Sequence, residues 1–308
     1  MIDVCVIGHV TRDVIRINGR EKELPGGTAY YSSMALKNLG LNVAVVTNID
    51  YNDAYLLNEL NKNNIPVFLK MSPKTTVFEN IYDHLNHRDH RIQKVKSIAT
   101  AFTIEEIADI SPTIFHIGSL TKGDIPLEVL KSLTGKSMVS LDVQGFLREV
   151  VQGYVKMKDW DEKYEVLRNV DIVKADETEA KVLTGEEDIE KAAKILSSFG
   201  AKEVIITSGS NGSLIYCKEK FYHIPSYPQE RIIDPTGCGD TYMAGYLYKR
   251  LRRIDSTLDF NKVGKFAAAI ASLKLGKYGA FEGSQDEVEY FLKTRDKFKS
   301  FDNFCRKR

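Results

Sequence analysis

Asp234, Pro235, Gly237, Cys238, Gly239 and Asp240 stand together in the stretch DPTGCGD, directly ahead of the helical run TYMAGYLYKRL. Glycine weakens a helix start and proline removes a backbone donor, so a chain that places both here needs its backbone for another purpose. In the run after Asp240, Tyr242, Tyr246 and Leu247 share one face, and Lys249 and Arg250 suit the C-terminal end. Gly237–Cys238–Gly239–Asp240 therefore opens a helix, where free N–H groups and the positive end of the macrodipole make an anion site. Glycines let that backbone lie close against a phosphate. An acid at the same place fits an anion in transit: the carboxylate takes a proton from an attacking hydroxyl while the amides and Mg2+ absorb charge on phosphoryl oxygens. A plainer reading exists, with Asp as a first-turn residue and Gly as a turn residue. The surrounding elements decide between the two.

Those elements alternate. Strand-like runs at 2–8, 42–49, 113–118, 137–143, 170–175 and 203–209 are separated by helix-like runs at 29–40, 55–64, 126–133, 177–184 and 188–199. Gly40 is a C-terminal stop for the first helix. Strands spaced by helices predict βαβ units and a mostly parallel sheet covered on both faces. Two stretches break the rhythm. Residues 10–24 alternate apolar and polar around an Asn-Gly, a hairpin signal, and 65–96 hold TTVFENIYDHLNHRDHRIQKV with a polar turn near 84–90. Together they predict a small β lid, its strands within about 10–24 and 67–98, on a single α/β domain spanning 1–308.

Lys+Arg at 43 against Asp+Glu at 42 leaves a net charge of +1, which gives no general reason to expect nucleic acid or an anionic membrane as partner. Cys5, Cys217, Cys238 and Cys305 share no metal-like spacing and fit a reducing compartment better than a disulfide framework. The first residues, MIDVCVIGHV, do not read as a signal peptide, and no apolar run approaches transmembrane length. The expected location is the cytoplasm.

DPTGCGDTYMAGY resembles the C-terminal signature of the ribokinase-like (PfkB) carbohydrate kinases, with Cys238 where that family usually has Ala. LPGGTAYYSSMALKNLG (24–40) is similar to its first signature, and VIGHVTRD (6–13) to its first strand and turn. VKADETEAKVLTG (173–185), VIITSGSNGSLIY (204–216) and FAAAIASLKLGKYGAFEG (266–283) resemble its later segments, in the right order across nearly the whole chain. The resemblance implies a ribokinase-like α/β fold with a β-sheet lid and an ATP- and Mg2+-dependent phosphotransferase. It makes Asp240 the catalytic base and the N–H groups of Gly237, Cys238 and Gly239 the anion hole. Asp13 would hold acceptor hydroxyls, and Gly26 and Gly27 would let the backbone lie against the acceptor. Ser208, Gly209 and Gly212, with Asp176, Lys277 and Gly279, would line ATP, and Glu179 would act on the metal–phosphate network through water.

Two positions depart from the family pattern. Asp176 stands where Asn is usual, which makes the metal–phosphate network more acidic. Tyr31 stands where many ribokinases carry a sugar-binding Asn, which argues against ribose and for a pocket shaped by a ring face. GGTAYYSS, TTVFENIYDHLNHRDHRIQ and DVQGFLR resemble the branch that includes myo-inositol 3-kinase, which places Asn80, Arg91 and Gln144 near the acceptor.

The implied reaction is transfer of the γ-phosphoryl group of ATP to a hydroxyl of a small polyol, myo-inositol-like first. A nucleoside kinase is the alternative, with Tyr30, Tyr31, Phe78 and Tyr82 as base-stacking rings. A non-catalytic nucleotide-binding relative is a third reading, against which the intact Asp240 counts. His84, His87 and His90, beside Asp83 and Asp89, read as polar lid residues before they read as a metal cluster. Cys238, at a helix N-terminus, is a candidate for a lowered thiol pKa, with a small filler as the plainer reading. Trp160, in a polar stretch, is expected to cover an edge. An exposed lid strand offers a route to a homodimer.

Overall fold

The computed structural model describes residues 1–17, 20–82, 91–229, 231–252 and 258–305. Its centre is a nine-stranded sheet. Strands Val67–Met71, Val43–Ile49, Val4–Ile7, Ile114–Gly118, Met138–Asp142, Ile172–Asp176 and Glu203–Thr207 run parallel in that order across it. Ser213–Cys217 and Lys220–Ile224 close it as an antiparallel hairpin.

The reason for two covered faces is visible in the first strand. Val4 and Val6 pack into one apolar cluster with residues of helices Thr28–Asn38, Cys238–Leu251 and Phe260–Leu275. Cys5 and Ile7 point the other way, into a second cluster with residues of Leu127–Leu133, Glu177–Thr184 and Ile189–Ser198. All four are fully buried, as period-2 alternation between two helical layers requires. The predicted α/β class, with a mostly parallel sheet covered on both faces, is the one observed.

A second, six-stranded sheet stands over one end of the first. Thr11–Ile17 pairs antiparallel with Arg20–Gly26 and parallel with Val77–Tyr82, with Asp13 opposite Phe78. Val77–Tyr82 pairs with Arg91–Ser97, and a hairpin of Arg148–Val151 and Tyr154–Met157 extends the sheet. Its own apolar core is small: Phe78, Val95 and Leu120, with Val150 and Val155 against them.

Three expectations are corrected. The 67–98 stretch is not wholly lid: Val67–Met71 follows helix Asn58–Lys62 and completes a βαβ unit as the edge of the main sheet. The lid instead gains 148–157, two strands of four residues each, too short to stand out in the sequence. Trp160 is buried and stacked on Phe146, ring centroids 4.3 Å apart, so it anchors core and does not merely cover an edge. His84, His87 and His90 lie outside the described residues, as does the Asn-Gly at 18–19.

Candidate active site

A cavity of about 230 Å³ lies between the C-terminal ends of the central strands and the lid, the crevice where open α/β sheets take ligands. Asp13, Tyr31, Gln144 and the turn Pro235–Asp240 line it, together with Phe78, Gln93, Asp142, Arg148 and Lys174.

On its acceptor side, Asp13 is buried and its Oδ1 accepts a hydrogen bond from Thr11 Oγ1 at 2.7 Å. Gly26 is the complement of that carboxylate: a Cβ there would run into Asp13 and Thr11. Gly27 caps the Thr28–Asn38 helix at φ 86°, and a Cβ on it would strike the carbonyl of His9. The Gly-Gly pair therefore makes room at the helix start and beside the acid.

Gly237 caps the Cys238–Leu251 helix at φ 76°, in the left-handed region. A side chain at Gly237 would enter the ring of Tyr31, so this aromatic packs directly on the glycine turn. Thr241 Oγ1 donates to Gly237 C=O at 2.8 Å, and Ser32 Oγ donates to Asp240 C=O at 3.1 Å. The Cys238 N–H reaches Pro235 C=O at 3.3 Å, a long bond for an amide proposed as part of an anion hole.

Asp240 is half-buried and lines the cavity, and the protein around it removes much of its hydration. That desolvation, with the charge of Asp142 adding, raises its pKa to about 6, against a hydrogen bond from Thr28 and the charges of Lys174 and Arg148. A carboxylate so placed is a better proton acceptor than a solvated one and is still ionised at neutral pH.

Beside it lies a buried ion cluster. Lys174 Nζ pairs with Asp142 Oδ2 at 2.9 Å and stands 4.0 Å from Glu179 Oε2. Burial works against the Lys174 charge, but Asp142 and Glu179 outweigh it and its pKa rises. Glu179 is pushed well above the ordinary carboxylate range by burial, with Lys174 opposing and Asp142 and Asp176 adding. Asp176 and Glu179 also form a reciprocal capping box at the start of Glu177–Thr184. Asp176 Oδ1 accepts from Glu179 N–H and Glu179 Oε2 accepts from Asp176 N–H, both at 2.7 Å. Among the described residues no group of three or more His, Cys, Asp or Glu converges as a metal cage.

Of the other expected residues among those described, Gln144 alone lines the cavity itself, and its N–H donates to Asp142 Oδ1 at 3.0 Å. Asn80 is one step back: its Oδ1 accepts from Gln93 Nε2 at 3.1 Å, and Gln93 is the residue that reaches the cavity. Arg91 begins the strand Arg91–Ser97, and its side chain lies outside the described residues. Ser208, Gly209 and Gly212 form the turn after Glu203–Thr207, closed by Ser208 N–H to Gly212 C=O at 2.8 Å, with Ser208 Oγ buried and without a hydrogen-bond partner among the described residues. Gly279 N–H donates to Asp234 Oδ2 at 3.2 Å, whereas Lys277 is exposed and 3.7 Å from Glu287. Cys238 follows the plainer reading of a small filler: burial pushes its thiol up to about 12, against any lowering by the helix terminus.

Lys174, Asp142, Arg148 and Gln93 were not singled out from the sequence. Lys174 sits in the VKADETEA segment itself, two residues before the cap; a lysine inside an apolar strand was the available signal.

The pfkB family carbohydrate kinase model matches residues 1–287. A cytidine kinase of Thermococcus kodakarensis is 32% identical over 266 residues, 83% of this chain and 91% of that one. A pyrophosphate-dependent kinase of the ribokinase family, solved with a pyrophosphate analogue and myo-inositol, superposes with a TM-score of 0.81 at 29% identity, over 90% of this chain and 97% of that one. A Vibrio cholerae fructokinase double mutant, bound to fructose, ADP and potassium, shares the fold at a TM-score of 0.79 and 21% identity, over 95% and 98% of the two chains. With the crevice at the strand ends, the acid at the glycine turn and the match over nearly its whole length, this chain belongs to the pfkB family of carbohydrate kinases, phosphotransferases that act on a sugar or nucleoside hydroxyl.

Proposed function

We propose that this kinase moves the γ-phosphoryl group of ATP to a hydroxyl of a small polyol, with a myo-inositol-like cyclitol the favoured acceptor. The observation that carries this reading is that Asp13 and Asp240 line one cavity whose remaining wall is mostly polar: Thr11, Gln93, Gln144 and Arg148. Fixed hydrogen-bonding groups around a compact space suit a ring of hydroxyls. Asp13 accepts hydrogen bonds from the acceptor and orients it. Asp240 takes the proton of the attacking hydroxyl, and the amides of Gly237, Cys238 and Gly239 receive the charge of the transferring group.

The sheet order supports a donor site beside the acceptor. Moving outward from Val4–Ile7, the strand ends carry Asp142, then Lys174 and Asp176, then Ser208. The Ser208 hydroxyl, without a partner among the described residues, and the Gly209–Gly212 turn offer the nucleotide side. Mg2+ usually binds through one or two carboxylates plus phosphate oxygens and water, and the paired Asp176 and Glu179 fit that need without a cage. Bound there, the ion would neutralise phosphate charge. Glu179 and Asp176 would hold it through water, with Lys174 Nζ 4.0 Å from Glu179 Oε2.

A nucleoside acceptor is a second reading, favoured by two rings in the cavity, Tyr31 and Phe78, and by the similarity to a cytidine kinase. Initial rates across myo-inositol, other cyclitols, pentoses, hexoses, cytidine and other nucleosides separate the two, with ATP and pyrophosphate each tried as donor. Turnover on a cyclitol with cytidine inert supports the first reading; the reverse result replaces it with the second. Pyrophosphate working where ATP does not overturns the donor assignment.

A further inference from the structure

Lys274 is fully buried near the end of the Phe260–Leu275 helix and does not line the cavity. Its Nζ donates to the backbone carbonyl of Asp234 at 2.7 Å and pairs with Oδ2 of the same residue at 3.1 Å. It also stands 5.7 Å from the centroid of the Tyr31 ring, the ring that packs on Gly237. Asp234 is tied further: Oδ1 accepts from Thr236 N–H at 2.9 Å and Oδ2 from Gly279 N–H at 3.2 Å. The N–H groups of Ile233 and Asp234 both reach Leu275 C=O, at 2.8 and 3.3 Å.

Burying an ammonium group is costly, and for stability alone an apolar side chain of similar volume often serves as well. A cation here therefore calls for a reason beyond packing. Its two oxygen partners belong to the first residue of the turn that ends in Asp240, and its ring partner is the surface on which that turn rests. We propose that Lys274 is a built-in monovalent cation. It cancels the charge of Asp234 and pins both ends of the turn, so that the amides and Asp240 keep their aim without an ion from solution. It acts through the turn and is a positioning residue. The proposal rests on reading that turn, with Asp240, as the transfer site.

The test uses the full-length protein with its best acceptor and Mg-ATP, at constant ionic strength in potassium, ammonium, sodium or tetramethylammonium chloride. Wild-type kcat is expected to be the same in all four. Lys274→Ala, which leaves space for an ion, is expected to lose kcat by about 10²-fold, the scale of a misplaced catalytic group, with little change in acceptor KM. Part of that loss should return in potassium or ammonium and not in tetramethylammonium. The melting temperature of Lys274→Ala should likewise rise with potassium or ammonium, as a bound ligand requires, while that of the wild type does not. Strong activation of the wild type by potassium or ammonium overturns the proposal, and so does a loss in Lys274→Ala that no cation relieves or an unimpaired variant. Should Lys274→Ala fail to fold, the wild-type series still decides. Asp240→Asn run alongside separates the two levels: an active Asp240→Asn removes the transfer site itself, whereas an inactive one with a cation-dependent wild type removes only the role of Lys274.

Discussion

The glycine turn and the lid face each other across one cavity, and they are built in opposite ways. The turn is held from every side: Tyr31 packs on Gly237, Ser32 holds the Asp240 carbonyl, Thr241 holds the Gly237 carbonyl, and Lys274 holds Asp234. Behind it stands the larger apolar cluster of the molecule, including Tyr246, Leu247, Phe266 and Ile270. The lid wall rests on the small core of Phe78, Val95 and Leu120, and its cavity residues Gln93 and Arg148 keep partial exposure. Phosphoryl transfer demands atoms in fixed positions, so rigidity is concentrated at the turn. Acceptor recognition is a matter of which side chains line a wall, and a thin sheet with a modest core lets those change at little cost to the rest of the fold. On this comparison, damage at the turn falls on kcat and damage at the lid on acceptor KM.

Asp240→Asn is the severest way to probe that division. It keeps the shape of the side chain and removes the base, and kcat should fall by about 10²-fold or more with acceptor KM nearly unchanged. Retained kcat in steady-state rates would break the comparison outright. Gly237→Ala comes next. It forces a Cβ into the Tyr31 ring at a left-handed φ, which should destabilise the protein by about 1–3 kcal/mol in denaturant unfolding and lower kcat well before it alters KM.

Gln93→Leu tests the lid. It removes a cavity amide and leaves the Asn80 carbonyl without its donor. The expected result is an acceptor KM raised by about tenfold, the worth of one lost polar contact, with kcat changed much less. An equal fall in kcat would mean that the lid also positions the reacting groups. The gentlest probe is pH. Burial and the Asp142 charge favour the protonated form of Asp240, so the base form is gained only as pH rises through about 6, and kcat/KM should fall on the acid side of that value. Asp142→Asn removes a charge that raises this pKa, so the acid limb should move to lower pH. Glu179 is raised by the same charge, so a limb that stays in place would show that a group not coupled to Asp142 controls it.

The order of strands and helices, the covered sheet and the Asp234–Asp240 turn were all legible in the amino-acid sequence. Each rests on a short-range pattern: alternation in 4–7, helical spacing after Asp240, glycines at a helix start. Asp13 and the Gly26–Gly27 pair were reached only through the resemblance of VIGHVTRD and LPGGTAYYSS to the family's signatures. Gln93, Arg148 and Asp142 carried no such mark, since a lone polar residue in a strand or turn looks the same whether it faces solvent or a cavity. Lys274 is the clearest case. In ASLKLGK it reads as one more charge at the end of a helix, where cations are ordinary. Only packing of that helix against the glycine turn, 40 residues earlier, buries the ammonium on Asp234. Local periodicity determines which elements form and roughly where the chemistry begins. Which polar groups meet in a water-poor space depends on contacts between distant segments, and these exist only once the sheet, its helices and the lid have closed around one crevice.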